Sequence, residues 1–180
     1  MLIITVPAVE MFNEKTNEFF TLKEQTLQLE HSLVSLSKWE SKWCKPFLSK
    51  NNKTMEETID YIKCMTITQN VKEDVYERLS RSNIEKINEY IDAPMTATTF
   101  HDDSQKGRGK ETITSELIYY WMISLNIPME CQKWHLNRLL TLIRVCNVKN
   151  SPPKKMSKGD IMRRNAALNA ARRKQLNSKG

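Results

Sequence analysis

The sequence changes from a strand period to a helix period within residues 26–36, Thr-Leu-Gln-Leu-Glu-His-Ser-Leu-Val-Ser-Leu. Polar and apolar residues alternate as far as His31, which is the period of a half-buried strand. From Ser32, a suitable helix N-cap, the large side chains recur at helical spacing. Their stripe comprises Leu33, Leu36, Trp39, Glu40 and Trp43. This stretch predicts an α+β chain that is mainly α, with strands before residue 32 and helices after it.

The residues before this stretch predict a small antiparallel sheet of three or four strands. Residues 2–6 are rich in β-branched side chains and are followed by a proline, which cannot donate to a ladder. Residues 9–12 and 18–22 are apolar and flank a polar connector, residues 13–17, that suits a hairpin. We expect residues 1–31 to form a β-hairpin or meander packed on the body.

Residues 32–150 predict a helical core domain. Thr54 and Glu57 have the spacing of a capping box for a helix that ends near Met65. Shorter helices are predicted at about 73–80 and 83–92, followed by an irregular segment at 93–109. Two strongly apolar helices, at 112–125 and about 129–148, are expected to form the core hairpin, with Pro128 as the first residue of the second.

The net charge is concentrated at the C-terminus. The chain carries a formal charge of +7, but residues 151–180 contain nine basic groups and one acid, a charge of +8. The preceding 150 residues contain 19 basic and 20 acidic groups and are therefore close to neutral. Ser151-Pro152-Pro153 interrupts any helix, and Ser157 can cap a last one that extends to about Leu176. Residues 151–180 are thus predicted to be a basic helical appendage.

No catalytic or metal-binding motif is convincing. The sequence has no phosphate-binding glycine loop, Gly-x-Ser-x-Gly or His-Glu-x-x-His motif. Cys131 and His135 would share a helix face with Cys146, but structural zinc needs four ligands, usually in close pairs. Asp102 and Asp103 beside His101 are better explained as solvated loop charges. We predict a protein that is not an enzyme, with no catalytic residues, metal or cofactor.

The sequence also indicates a cytoplasmic protein. No apolar run approaches the ~18 residues of a membrane helix, and the short apolar N-terminus lacks the basic region of a signal peptide. The four scattered cysteines are expected to be reduced thiols. The basic appendage leaves three uses open: sequence-independent nucleic-acid binding, docking to an acidic coiled coil or groove, and solubilisation alone.

Several stretches of the sequence resemble those of a known family. These are residues 41–47 (Ser-Lys-Trp-Cys-Lys-Pro-Phe), 95–100 (Met-Thr-Ala-Thr-Thr-Phe), 112–144, 154–158 and 164–173. The chain resembles the tail assembly chaperones of long-tailed bacteriophages. That resemblance implies binding of the phage tape-measure protein in the host cytoplasm before the tail tube polymerises, and release as tail-tube subunits assemble. It implies no covalent chemistry and no cofactor.

Candidate partner-binding residues come from the sequence pattern itself, because the family offers no motif to transfer. On the core helices, Trp121, Trp134 and Leu140 are predicted anchors, since aromatic side chains dominate interface energetics. The appendage contributes two apolar and four basic candidates: Ile161, Leu168, Arg163, Arg164, Arg172 and Arg173. The wide apolar helices also make a homo-oligomer possible. Alternative functions are a structural tail or neck protein of the virion and a nucleic-acid-binding phage protein.

Overall fold

The computed structural model describes residues 1–13, 17–49, 52–100, 112–151 and 158–177. Helices make up 57% of the described residues, and a small antiparallel strand set lies at the N-terminus, so the α+β, mainly α prediction is confirmed. The strands are β1 (Leu2–Val6), β2 (Val9–Asn13), β3 (Glu18–Leu22) and β4 (Gln25–Leu29). The helices are α1 (Leu33–Trp43), α2 (Met55–Met65), α3 (Glu73–Glu77), α4 (Arg81–Asp92), α5 (Ser115–Ser124), a 3₁₀ helix (Met129–Lys133), α6 (Leu136–Asn150) and α7 (Lys158–Leu176).

The four strands form two two-stranded sheets and not one sheet of three or four strands. β1 pairs with β4 from Leu2↔Leu29 to Val6↔Gln25, and β2 pairs with β3 from Val9↔Leu22 to Asn13↔Glu18, both antiparallel. The two ladders share one register, because every paired couple of residue numbers has the same sum. The strands are therefore two halves of one long ribbon, interrupted where Pro7 cannot donate a ladder hydrogen bond. We call residues 2–6 with 25–29 the proximal half, and residues 9–13 with 18–22 the distal half.

The predicted helix starts at Ser32 and Thr54 are both present. Ser32 accepts from the Ser35 amide, and Thr54 and Glu57 form the expected capping box, in which the Thr54 amide donates to Glu57 Oε2 at 2.8 Å. Each side chain satisfies an amide that lacks an intrahelical partner. Helix α1 ends at Trp43, and the next residue, Cys44 (φ 52°), caps it by donating its amide to the Glu40 carbonyl.

Helix α1 is the centre of the core. Its Leu33, Leu36 and Trp39 are fully buried, and its main neighbours are α2, α5 and the 3₁₀ helix. The prediction that the two later apolar helices form the core hairpin was therefore wrong about the central element. Helix α5 packs on α1, and α6 buries only its Leu136, Leu139 and Ile143 side chains.

The second apolar helix does not run unbroken from residue 129 to 148. A 3₁₀ helix ends at Lys133, Trp134 is extended, and α6 begins at Leu136. The break follows from pairing with the chain after β4: the Leu136 amide donates to the His31 carbonyl at 2.7 Å, and His135 forms a β-bridge with Ser32. Cys131 and His135 therefore do not share an α-helical face, and Pro128 precedes the 3₁₀ helix.

A buried carboxylate connects α1 to α5. Glu40 is 7% exposed, and its Oε1 and Oε2 accept the Phe47 amide at 2.8 Å and the Ser115 amide at 2.7 Å. Ser115 is the first residue of α5, where backbone amides have no intrahelical partner and negative charge is favoured. Glu40 thus fixes the start of α5 and the turn after α1.

The chain divides into two compact units, Met1–Asn147 and Val148–Gly180. The first contains the ribbon, α1–α5, the 3₁₀ helix and most of α6. The second contains α7, which buries none of its residues. The predicted cap Ser157 and the loop residues His101, Asp102 and Asp103 lie outside the described residues. No helix in the described ranges is long and apolar enough to cross a membrane.

Candidate protein-interaction surfaces

The two halves of the ribbon have different surroundings. In the proximal half, Ile4, Val6, Leu27 and Leu29 are buried in the core. The distal half is equally apolar but exposed: Val9, Met11, Phe12 and Phe20 are 39–46% exposed and Phe19 is 71% exposed. Soluble proteins rarely expose a large apolar patch, and such a patch typically marks a binding surface.

Both faces of the distal half carry large apolar side chains. Because paired residues point to the same side of a sheet, Met11 and Phe20 share one face and Phe12 and Phe19 share the other. The Phe12 and Phe19 rings lie 5.0 Å apart between centroids. A body packed against one face would leave the other uncovered. The distal half therefore offers aromatic contacts on either side to a partner.

Arg78 holds the ribbon at its interruption. Its Nη1 donates to the Pro7 carbonyl at 2.8 Å, its Nη2 lies 3.5 Å from the Lys23 carbonyl, and Asp74 pairs with the same guanidinium at 3.3 Å. One side chain of the body thus bonds the backbone of both strands where the ladder is broken. This contact ties the body to the ribbon at the point where the distal half begins.

Arg78→Met is expected to loosen the distal half while the core stays folded. Methionine keeps the apolar stem but loses charged hydrogen bonds of about 1.5 kcal/mol or more. Amide exchange in residues 9–13 and 18–22 should therefore quicken by roughly tenfold. Hydrogen exchange read by mass spectrometry measures this directly. Arg81→Met is the matched control, since exposed Arg81 bonds only Glu85 among the described contacts; equal exchange in both variants would contradict the role of Arg78.

Helix α7 is the second exposed surface. The helix has six basic residues and one acid, and every one of its residues is exposed. The appendage candidates Ile161, Leu168, Arg163, Arg164, Arg172 and Arg173 all belong to it.

The other predicted anchors are partly covered by the core. Trp121 on α5 and Leu140 on α6 are half-buried and pack against core residues. Trp134 is half-buried too, and the Arg138 guanidinium lies 4.3 Å from its ring centroid. It lines a cleft of about 310 Å³ with Met1, Glu30, Tyr90, Met95, Lys133, His135 and Arg138. These three side chains thus contribute to packing, and their role as anchors stays a prediction.

The distal half was predicted from its sequence only as strands and not as an exposed surface. A signal was present in Met11-Phe12 and Phe19-Phe20, where adjacent residues are both large and apolar. Neighbouring side chains in a strand point to opposite faces. Such pairs cannot all be buried in a sheet that has one covered face.

A buried polar cluster closes the base of the ribbon. His31 Nδ1 lies 2.5 Å from the Tyr61 hydroxyl, and the His31 and His135 rings are 5.1 Å apart between centroids. His135 Nδ1 accepts the Asn137 amide at 3.3 Å, which leaves Nε2–H to donate to the Tyr90 carbonyl at 2.9 Å. Both nitrogens of neutral His135 are thus used. Within the described residues, no three His, Cys, Asp or Glu side chains are grouped to hold a metal ion.

Burial keeps both histidines neutral. It lowers the pKa of His31 to about 3, with a smaller contribution from His135. Burial also lowers the pKa of His135, against the opposing effects of the Tyr90 carbonyl and Glu30. Protonation would place two positive charges side by side inside the core, which explains why the folded protein disfavours it.

The free energy of unfolding is therefore expected to fall as the pH drops below about 6.5. The unfolded chain takes up protons there that the folded cluster does not, so each histidine contributes a slope of up to about 1.4 kcal/mol per pH unit. Urea unfolding of wild type and His31→Gln at pH 6.5, 6.0, 5.5 and 5.0 tests this. These pH values lie above the range in which most carboxylates take up protons. The variant should show a shallower slope than wild type, and parallel curves would contradict the burial of a neutral His31.

No family model matches the chain, and no curated protein or solved structure is similar enough to match it.

Proposed function

We propose that this chain is a non-catalytic tail assembly chaperone of a tailed bacteriophage, which binds the tape-measure protein in the host cytoplasm before the tail tube forms. The observation that carries the proposal is the distal half of the ribbon, whose aromatic side chains are exposed on both faces. The resemblance in sequence to tail assembly chaperones supplies the identity of the client.

The way the distal half is mounted supports a client-binding role. The proximal half is buried in the core, and Arg78 bonds both strands at the interruption, so the exposed half is anchored at one end. An apolar, aggregation-prone helix of a client would cover Phe12 and Phe19, or Met11 and Phe20, and lose its own exposed surface. Such binding is reversible, because it needs no covalent chemistry. Tail-tube subunits that cover the same client surface would displace the chaperone.

Capture from infected cells tests the proposal. Tagged wild-type protein is recovered after nuclease treatment, and its partners are identified by mass spectrometry. One very long helical phage protein, the tape-measure protein, is expected in stoichiometric amount. Recovery without any such protein would contradict the proposal. Stoichiometric presence of the chain in purified virions would instead support a structural tail or neck protein, because a chaperone leaves as the tail assembles.

A further inference from the structure

The charge of α7 is distributed around its whole circumference. At 3.6 residues per turn, side chains nine positions apart lie on opposite sides of an α-helix. Arg163 and Arg172 are one such pair, and Arg164 and Arg173 are another, turned by about 100° from the first. These four exposed guanidinium groups therefore point in four directions.

This distribution does not suit a protein groove. A helix that docks on a protein buries one apolar stripe and keeps its charges on the other side. On α7, Ile161 and Leu168 share one side, but Arg164 and Arg172 flank it, while Met162 and Leu176 lie on another. Binding in a groove of apolar walls would bury at least one of these cations.

The major groove of DNA is flanked by negative charge instead of apolar walls, because phosphates of both strands lie on either side of a helix placed in it. That groove is about 12 Å wide and admits an α-helix. The centre of α7 is narrow, with Ala166, Ala167, Ala170 and Ala171 between its two basic ends. At 1.5 Å per residue, the helix is about 28 Å long, and its basic ends are about 14 Å apart. Residues 1–150 are nearly neutral, so the positive charge that attracts a polyanion belongs to the C-terminal segment.

We propose that α7 binds double-stranded DNA, lying in the major groove with its arginines on the phosphates of both strands. This activity is separate from client binding by the ribbon. Double-stranded RNA is a poorer ligand, because its major groove is too narrow for side chains to enter. Binding is expected to be largely independent of sequence, because phosphate contacts carry no sequence information.

Fluorescence anisotropy of the full-length protein with a labelled 24-base-pair DNA tests this proposal. About five phosphate contacts give a slope near −4.5 for log affinity against log salt, a roughly 500-fold loss between 50 and 200 mM. The variant Arg163→Gln/Arg164→Gln/Arg172→Gln/Arg173→Gln should bind DNA at least 100-fold more weakly. The slope of its log affinity against log salt should be smaller in magnitude by about 3.6. Glutamine is a good helix former, so the helix itself is preserved.

The matched control removes the same charge from the first unit. Lys23, Lys38, Lys72 and Lys86 are exposed, and their replacement by glutamine should change affinity less than threefold. Equal losses in the two variants would overturn the proposal in favour of net charge alone. Equal affinity for a 24-base-pair RNA would overturn the groove geometry. Displacement of DNA by polyglutamate of equal charge and concentration would show that α7 binds acidic protein instead.

Discussion

Replacing Glu40 by alanine is expected to lower the free energy of unfolding by about 4 kcal/mol. The carboxylate accepts two buried amides, those of Phe47 and Ser115. Alanine leaves both without an acceptor, at a cost of about 1–3 kcal/mol each. The first turn of α5 also loses a favourable negative charge. The melting temperature should fall by roughly 10 °C in a chain of this size, which thermal unfolding followed by circular dichroism measures.

Glu40→Gln is the matched control for this prediction. Glutamine has nearly the same shape, but its side chain has only one acceptor oxygen. Its NH₂ group faces the second backbone N–H and cannot accept a hydrogen bond from it. It should therefore lose roughly half as much stability as alanine. A loss below about 1 kcal/mol for alanine would mean that Glu40 does not connect α1 to α5 in the folded protein.

Replacing Phe12 and Phe19 together by serine is expected to reduce affinity for the tape-measure protein by at least ~100-fold. Central aromatic residues of an interface cost about 2 kcal/mol or more each when they are removed. The melting temperature should change by less than about 2 °C, because these rings are 46% and 71% exposed and neither belongs to the buried core cluster. Biolayer interferometry with an immobilised tape-measure fragment measures the affinity.

Two other exposed apolar residues provide the control. Tyr120 and Ile123 on α5 are 63% and 66% exposed, so Tyr120→Ser/Ile123→Ser removes a similar amount of apolar surface elsewhere. This variant should bind within threefold of wild type. All proteins are compared at a concentration at which wild type sediments as a monomer, so that lost self-association is not counted as lost client binding. A large fall in melting temperature for the phenylalanine variant would show that the distal half belongs to the core.

Local chemistry made the early helices predictable. The caps at Ser32 and Thr54 satisfy amides within three residues of themselves, so the sequence alone contains both partners. The stripe of α1 was predictable for a similar reason, since Leu33, Leu36 and Trp39 lie one turn apart. The first two helices begin where the sequence indicates, because neither start depends on distant residues.

Features that depend on distant pairing were not predictable. The break at Trp134 and His135 requires the His31 carbonyl, about a hundred residues earlier, to accept the Leu136 amide. The periodicity of residues 129–148 contains no information about that distant partner, so it predicts a continuous helix. The exposure of Phe12 and Phe19 likewise depends on which half of the ribbon the body covers. Arg78, far along the chain, bonds both strands at that limit.

Site-specific photocrosslinking in infected cells tests the central claim, that the distal half of the ribbon holds the client. A benzophenone amino acid replaces Phe19 in one protein and Tyr120, an exposed residue of α5, in the other. After irradiation, position 19 should form a covalent adduct with the tape-measure protein, identified by mass spectrometry, and position 120 should form little or none. Adducts of equal yield at both positions, or adducts of position 19 only with further copies of this chain, would contradict the account.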